Sequence, residues 1–199
     1  MRIVLALVLV GSIGAAVVGL KRSGAYAFQQ TGPKDHIMST EQRPFLVRPD
    51  EGREGDTLSE RHRIVVKVSG SDTSGAVAVL EIRTAVDSGP SLHVHHVENE
   101  WFYALEGEYD IQVGTEIFHL KRGGSAYGPK LVPHTWHDVG ETPGRMLVVA
   151  QPAGHLEAFA KDLESMSPAD MRTPGAEKAL FERHNMEIAG PPLPKKIGK

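Results

Sequence analysis

The hydrophobic pattern of this 199-residue chain changes character twice. An uncharged, mostly apolar run from Ile3 to Leu20 comes first. A long middle region then carries short apolar runs with the period of two that marks half-buried strands. Beyond residue 153 the apolar spacing becomes helical. In the middle region, Arg63–Val68 reads as a strand. Ala76–Ile82 reads as another, with clear alternation in its second half. Tyr109–Val113 and Glu116–Leu120 flank Gly114-Thr115, which predicts a tight hairpin. Gly123-Gly124 makes a further turn. Thr135–Val139 and Met146–Ala150 follow as strands. One isolated short strand is expected around Phe45-Leu46-Val47. Together with the strands around residues 92–106, this gives nine or ten short strands at regular intervals, the signal for a sandwich or barrel.

At the C-terminal end, Leu156, Phe159, Ala160 and Leu163 fall at i, i+3, i+4 and i+7. The spacing predicts an amphipathic helix over Gly154–Ser165. Thr173-Pro174 supplies an N-cap and first-turn residue for a second helix reaching His184, with Asn185 as its C-cap. Each helix with one apolar stripe is expected to pack on the outside of the β domain. Lys195, Lys196 and Lys199 read as a solvated tail. The chain is therefore divided into an N-terminal segment 1–27, a linker 28–44, a β domain 45–152 and a helical extension with tail 153–199.

Segment 1–27 stands apart from the β domain. Arg2 precedes the apolar run, and Ala25-Tyr26-Ala27 has the small-x-small form of a cleavage signal. The segment is either an export signal cleaved before Phe28 or an uncleaved membrane anchor, since eighteen residues lie near the lower limit for spanning. Both readings place the body outside the cytoplasm, periplasmic or secreted, with a membrane tether in the second case. Removing the segment leaves 19 basic against 25 acidic side chains, a charge of −6. An acidic body without a basic cluster argues against nucleic acid as a partner. The chain has no cysteine, which excludes disulfides, iron–sulfur clusters, thiolate zinc sites and cysteine nucleophiles. Its 21 glycines and 13 prolines suit a turn-rich β fold.

The chemistry concentrates between Gly89 and Gly107. His93 and His95 are two apart, so on a strand they share a face. A turn through Val97, Glu98 and Asn99 returns the chain, and Glu100, Phe102 and Ala104 can then face the same interior. Two imidazoles and a carboxylate converging at one point are what a divalent metal requires. Two buried histidines without such a partner would each leave a polar nitrogen to satisfy. Glu98 is the competing carboxylate, placed in the turn with a less inward aim than Glu100. Pro129-Lys130-Leu131-Val132-Pro133-His134 offers His134 as a fourth ligand from another strand. His96 should face outward. His137, three residues beyond His134, should support the site from behind or lie on the surface. His36, His62, His119, His155 and His184 have no visible partner. Phe102, Phe118, Leu131, Trp136 and Val148 are candidates to line an apolar cavity, or simply to fill the core.

The arrangement resembles the cupin superfamily. Its first motif is matched by His93-Val94-His95, four residues, Glu100, six residues and Gly107. Its second, looser motif is matched by Pro129 through His134, with Leu131 at a position usually held by glycine and Asp138 at one usually held by asparagine. The resemblance covers about residues 45–152. It implies an all-β fold, the double-stranded β-helix or jelly-roll barrel, with the short C-terminal helices outside it. It implies one divalent transition metal (Fe, Mn, Ni, Cu, Co or Zn) on His93, His95, Glu100 and His134, with one or two coordination positions open. The ending His184 to Leu193 is similar to that of bacterial cupins grouped with quercetin 2,3-dioxygenase. That likeness implies an oxygen-dependent dioxygenase acting on a small organic substrate, aromatic compounds included, with Glu100 as ligand and general base. The same fold equally hosts isomerases, decarboxylases and non-catalytic small-molecule binders. Edge-strand homodimers are common in the family.

Overall fold

The computed structural model describes residues 44–53, 55 and 63–194. The segment 1–27, most of the expected linker, His36, His62 and the terminal lysines lie outside the described residues. Among the described residues no helix is long and apolar enough to cross a membrane.

The described residues form ten strands in chain order: β1 Ile64–Val68, β2 Ala78–Arg83, β3 Leu92–His95, β4 Asn99–Glu106, β5 Glu108–Val113, β6 Glu116–Lys121, β7 Ser125–Gly128, β8 His134–Asp138, β9 Arg145–Gln151 and β10 Met186–Gly190. They make two five-stranded sheets, ordered β1-β2-β9-β4-β7 and β10-β3-β8-β5-β6, with every pairing antiparallel. This is the expected all-β jelly-roll architecture, in which two sheets enclose one interior. The core is built from inward-facing positions of both sheets, including Leu80, Phe102, Tyr109, Ile111, Met146 and Val148.

Alternation decides which side chains reach that interior. On β4, Glu100, Phe102 and Ala104 are buried while Trp101 between them is exposed. On β3, His93 and His95 are buried on either side of half-buried Val94. The β5–β6 hairpin turns at Gly114 with φ +59°, where a residue without Cβ suits the left-handed backbone. Behind the sheet, Asp138 holds the chain crossing: Thr84 Oγ1 donates to it, and Gly140 N and Gly144 N donate at 3.0 and 3.2 Å. The aspartate at the asparagine position thus serves as a buried structural acceptor.

Three helices follow the barrel: α1 Leu156–Ser165, α2 Pro168–Met171 and α3 Ala176–Arg183. They lie outside the two sheets, but over the opening of the barrel. α1 buries Leu156 and Ala160, and α3 buries Leu180 and Phe181. Phe159 and Phe181 meet edge to face at 5.0 Å between ring centres. Asp162 accepts from Arg183 Nη1 and His184 Nε2, each at 3.0 Å, which ties the two helices at their far side. Glu157, in the first turn of α1, accepts from Ser69 Oγ and from Gly70 N and so pins that end to the β1–β2 connection.

Three expectations need correction. Phe45–Val47 is not a strand: among the described residues no neighbour pairs with it, Leu46 is 81% exposed, and Phe45 instead sits under the Arg53 guanidinium at 4.1 Å. The pattern did not mark β7, whose four residues carry little alternation. Nor is the extension 153–199 only helices and tail, because β10 returns to pair with β3 and closes one edge of the second sheet.

Candidate metal centre

Two neighbouring strands of one sheet and one strand of the other bring the site together. His93 and His95 come from β3, His134 from β8 directly opposite His93, and Glu100 from β4 across the interior. All four are buried, with relative exposures of 7%, 1%, 0% and 3% in that order. The three imidazole rings stand 4.9 to 5.3 Å apart, centre to centre. One ligand atom from each of the four residues lies within 4.8 Å of all the others.

The far side of each ring is already committed. His93 Nδ1 lies 2.8 Å from Ser91 O, and His134 Nδ1 lies 2.9 Å from Val132 O. A carbonyl can only accept, so both Nδ1 atoms carry the hydrogen and donate. His95 Nδ1 faces Glu98 Oε2 at 3.3 Å. Each ring thereby turns Nε2 toward the shared interior, where a neutral ring offers its lone pair to a cation. Glu100 meets two of them: Oε2 lies 3.0 Å from His134 Nε2, and Oε1 lies 3.7 Å from His95 Nε2.

Burial and mutual charge set the protonation of the cluster. Burial first, and then the neighbouring His134 and His95, hold His93 down to about 3, so it is neutral. Burial works against Glu100 ionising, but His95, His134 and His93 overcome it and hold the carboxyl down to about 2. Burial opposes protonation of His95, yet Glu100 and Glu98 outweigh it and raise its pKa. The two carboxylates thus favour positive charge, a proton or a metal cation, on the His95 side of the cluster.

These residues fit a divalent transition metal. His95 Nε2 is fully enclosed and has no hydrogen-bond partner, a costly state for an acceptor unless a cation meets it. Three imidazole nitrogens and one carboxylate oxygen, with every outer nitrogen hydrogen-bonded, form a donor set for a first-row ion. The set discriminates poorly within that row.

The cluster opens into a cavity of about 390 Å³. Phe102, Trp136, Val148 and Leu80 line it from the sheets, and Leu156, Phe159 and Phe181 border it from the helices. Phe181 reaches the metal-facing ring of His93 at 5.2 Å, edge to face. The expected lining by Phe102, Trp136 and Val148 is seen. Phe118 and Leu131 are instead 46% and 62% exposed, Phe118 on the edge strand β6 and Leu131 in a surface turn.

The second motif keeps its turn despite the missing glycine. Leu131 adopts the left-handed conformation, φ +65°, and its N–H donates to His95 O at 2.9 Å. Among the remaining histidines, His96 faces outward near Glu187. His137 is buried behind the site, with Nε2 at 3.2 Å from Asp87 Oδ1. His119, His155 and His184, which the sequence left without partners, meet Asp110, Asn185 and Asp162. Glu98, expected in a turn with an uncertain aim, is completely buried and supports His95. Sequence reasoning missed Ser91, Val132 and Gly128. A Cβ at Gly128 would stand 3.3 Å from the His134 ring, so the small residue opposite Glu100 leaves room for that ligand.

Comparison with known proteins places this geometry. The family model for the cupin domain matches residues 81–150, which hold all four cluster residues. An uncharacterized protein of Methanocaldococcus jannaschii is 31% identical over 75 residues, 38% of this chain. The match spans 60% of the length of that relative. Among solved structures, a Thermus thermophilus protein is 27% identical with a TM-score of 0.40, over 45% of this chain and 84% of its own. An RmlC-like cupin from Shewanella frigidimarina is 23% identical with a TM-score of 0.37, over 39% of this chain and 68% of its own. With the paired motifs, the two five-stranded sheets and the clustered histidines, residues 81–150 form a cupin domain.

Proposed function

We propose that this cupin is a metal-dependent dioxygenase of the quercetin 2,3-dioxygenase type, exported and acting on a small organic substrate with an aromatic body. One observation carries the reading: a His₃Glu cluster opens into a largely apolar cavity of about 390 Å³. That size lies within the range of roughly 300–1,000 Å³ typical of small-molecule sites.

His93, His95, Glu100 and His134 would hold the ion. When bound, it supplies Lewis acidity toward an acidic substrate hydroxyl and a centre at which dioxygen chemistry is accessible. The rest falls to the chain. Phe102, Trp136 and Val148 present flat and branched apolar surface to an aromatic ring. Among the glutamates that line the cavity, Glu100 is buried, and it is ionised. A substrate hydroxyl within hydrogen-bond reach of a Glu100 carboxylate oxygen would transfer its proton there. Leu156, Phe159 and Phe181 add apolar surface on the helix side of the cavity. Both atoms of dioxygen enter the organic product, so no external reductant is required.

Oxygen consumption by the metal-loaded protein, measured with a flavonol and with non-hydroxylated aromatic controls, tests the reading. Uptake that depends on the substrate hydroxyl supports it. Conversion of substrate without oxygen uptake would move the protein to the isomerase or decarboxylase class. Tight binding without turnover would make it a small-molecule binding cupin.

A further inference from the structure

The metal ligand His95 is connected to the C-terminal helices through Glu98. Glu98 is 0% exposed, and its two carboxylate oxygens serve different partners. Oε2 accepts from His95 Nδ1 at 3.3 Å, and Oε1 accepts from the backbone N–H of His155, the residue that caps α1. Gly154 lies against the same carboxylate. It has φ +53°, and a Cβ built there would fall 2.0 Å from Glu98 Oε1. The start of α1 therefore grips the carboxylate closely, and only glycine permits that approach.

From this we infer that Glu98 is a positioning residue for the metal, and that its grip by Gly154 and His155 makes metal affinity depend on the docking of α1. The proposal rests on the metal reading of the His₃Glu cluster. The physical reasoning is direct. An ionised carboxylate only accepts, so it fixes the hydrogen on His95 Nδ1 and leaves the lone pair on Nε2. His93 and His134 are fixed by carbonyls of residues two positions before them in the chain, Ser91 and Val132. His95 alone among the three is fixed by a side chain, and that side chain is held in turn by a segment 57 residues away. Displacement of α1 would free Glu98, release the His95 ring and loosen one of four ligands.

The test compares four full-length proteins: wild type, Glu98→Gln, Gly154→Ala and Val65→Ala. Each is stripped with chelator, checked by circular dichroism and titrated with Co(II), whose visible spectrum reports the ligand field. Glutamine keeps the size of Glu98 but offers one acceptor where two donors converge. A loss of Co(II) affinity on the order of 10–100-fold is expected, with an altered spectrum. Gly154→Ala retains the carboxylate and displaces it from the helix side, so it should weaken Co(II) in the same direction. Should either variant fail to fold, the other decides. Val65→Ala opens a buried position on β1 away from the cluster. It should lower thermal stability while leaving Co(II) affinity and spectrum as in the wild type. Wild-type affinity and spectrum in the folded Glu98 or Gly154 variant would overturn the inference. A wild type that binds no Co(II) would overturn the metal reading itself, and this inference with it.

Discussion

Leu131 occupies the turn that delivers His134, at φ +65° and 62% exposed. A left-handed leucine costs about 1–2 kcal/mol relative to the ordinary helical region. Its exposed side chain returns little through burial. Leu131→Gly removes the steric cost but adds roughly 0.5–1 kcal/mol of unfolded-state entropy. Thermal denaturation should therefore show the variant unchanged or stabilised by up to about 1.5 kcal/mol. A loss of stability would mean that the leucine side chain makes a contact of its own. Glu100 bears on the chemistry as well. Glu100→Gln keeps an oxygen for the ion but removes the proton acceptor, so most metal should be retained while turnover falls by about 10²–10⁴-fold. Metal content and oxygen uptake measured on the same sample separate the two effects. Full turnover in that variant would remove Glu100 from proton transfer.

At the scale of elements, β3 carries the site because it is short, alternates strictly and lies between two partners, β8 and β10. The sequence made this legible: a two-residue histidine spacing, a turn and an alternating return strand placed His93, His95 and Glu100 on one interior. His134 was legible from its own motif. The lining was less so, because Phe118 and Phe102 both alternate within apolar strands. Only sheet order, in which β6 is an edge and β4 is internal, separates the exposed ring from the buried one. β10 was hidden for a similar reason. Met186–Gly190 is a strand because β3 offers it an open edge, a long-range fact that no local pattern records. Glu98 escaped because its partners, His95 and the start of α1, meet only after the helices fold back. The helices matter for the cavity through Phe181, which is 4% exposed and touches both Phe159 and His93. Phe181→Ala should cost about 3–5 kcal/mol by denaturant unfolding. It should also admit water to the cavity, seen as faster exchange of amides in α1 and α3. A loss below 1 kcal/mol would mean that the helices cover the opening without packing into it.

For the whole molecule, the buried cluster sets how stability responds to pH when no metal is present. His93 is held down to about 3 in the folded chain from an ordinary 6.5. Between those values the unfolded chain binds the proton that the folded chain refuses, so stability present above 6.5 is lost as pH falls toward 3. Glu100, held down to about 2 from 4.5, adds to the loss in the lower part of that window. His95 is raised and acts with the opposite sign: its contribution is complete below 6.5 and fades as pH rises through its folded value. The chelated protein should therefore melt highest near pH 6.5, with Tm falling on both sides. Metal needs His95 deprotonated, so the stabilisation by added ion should grow as pH rises. A chelated protein whose Tm climbs steadily from pH 6.5 to 8.5 would contradict the raised His95.

The central claim is that His93, His95, Glu100 and His134 hold one ion. Elemental analysis of protein purified without chelator, beside a His93→Ala/His95→Ala double variant, addresses it most directly. The account expects about one divalent transition metal per wild-type chain and none in the double variant. Equal metal in both proteins, or none in the wild type even after reconstitution, would contradict it and leave the histidines as structural groups of the barrel.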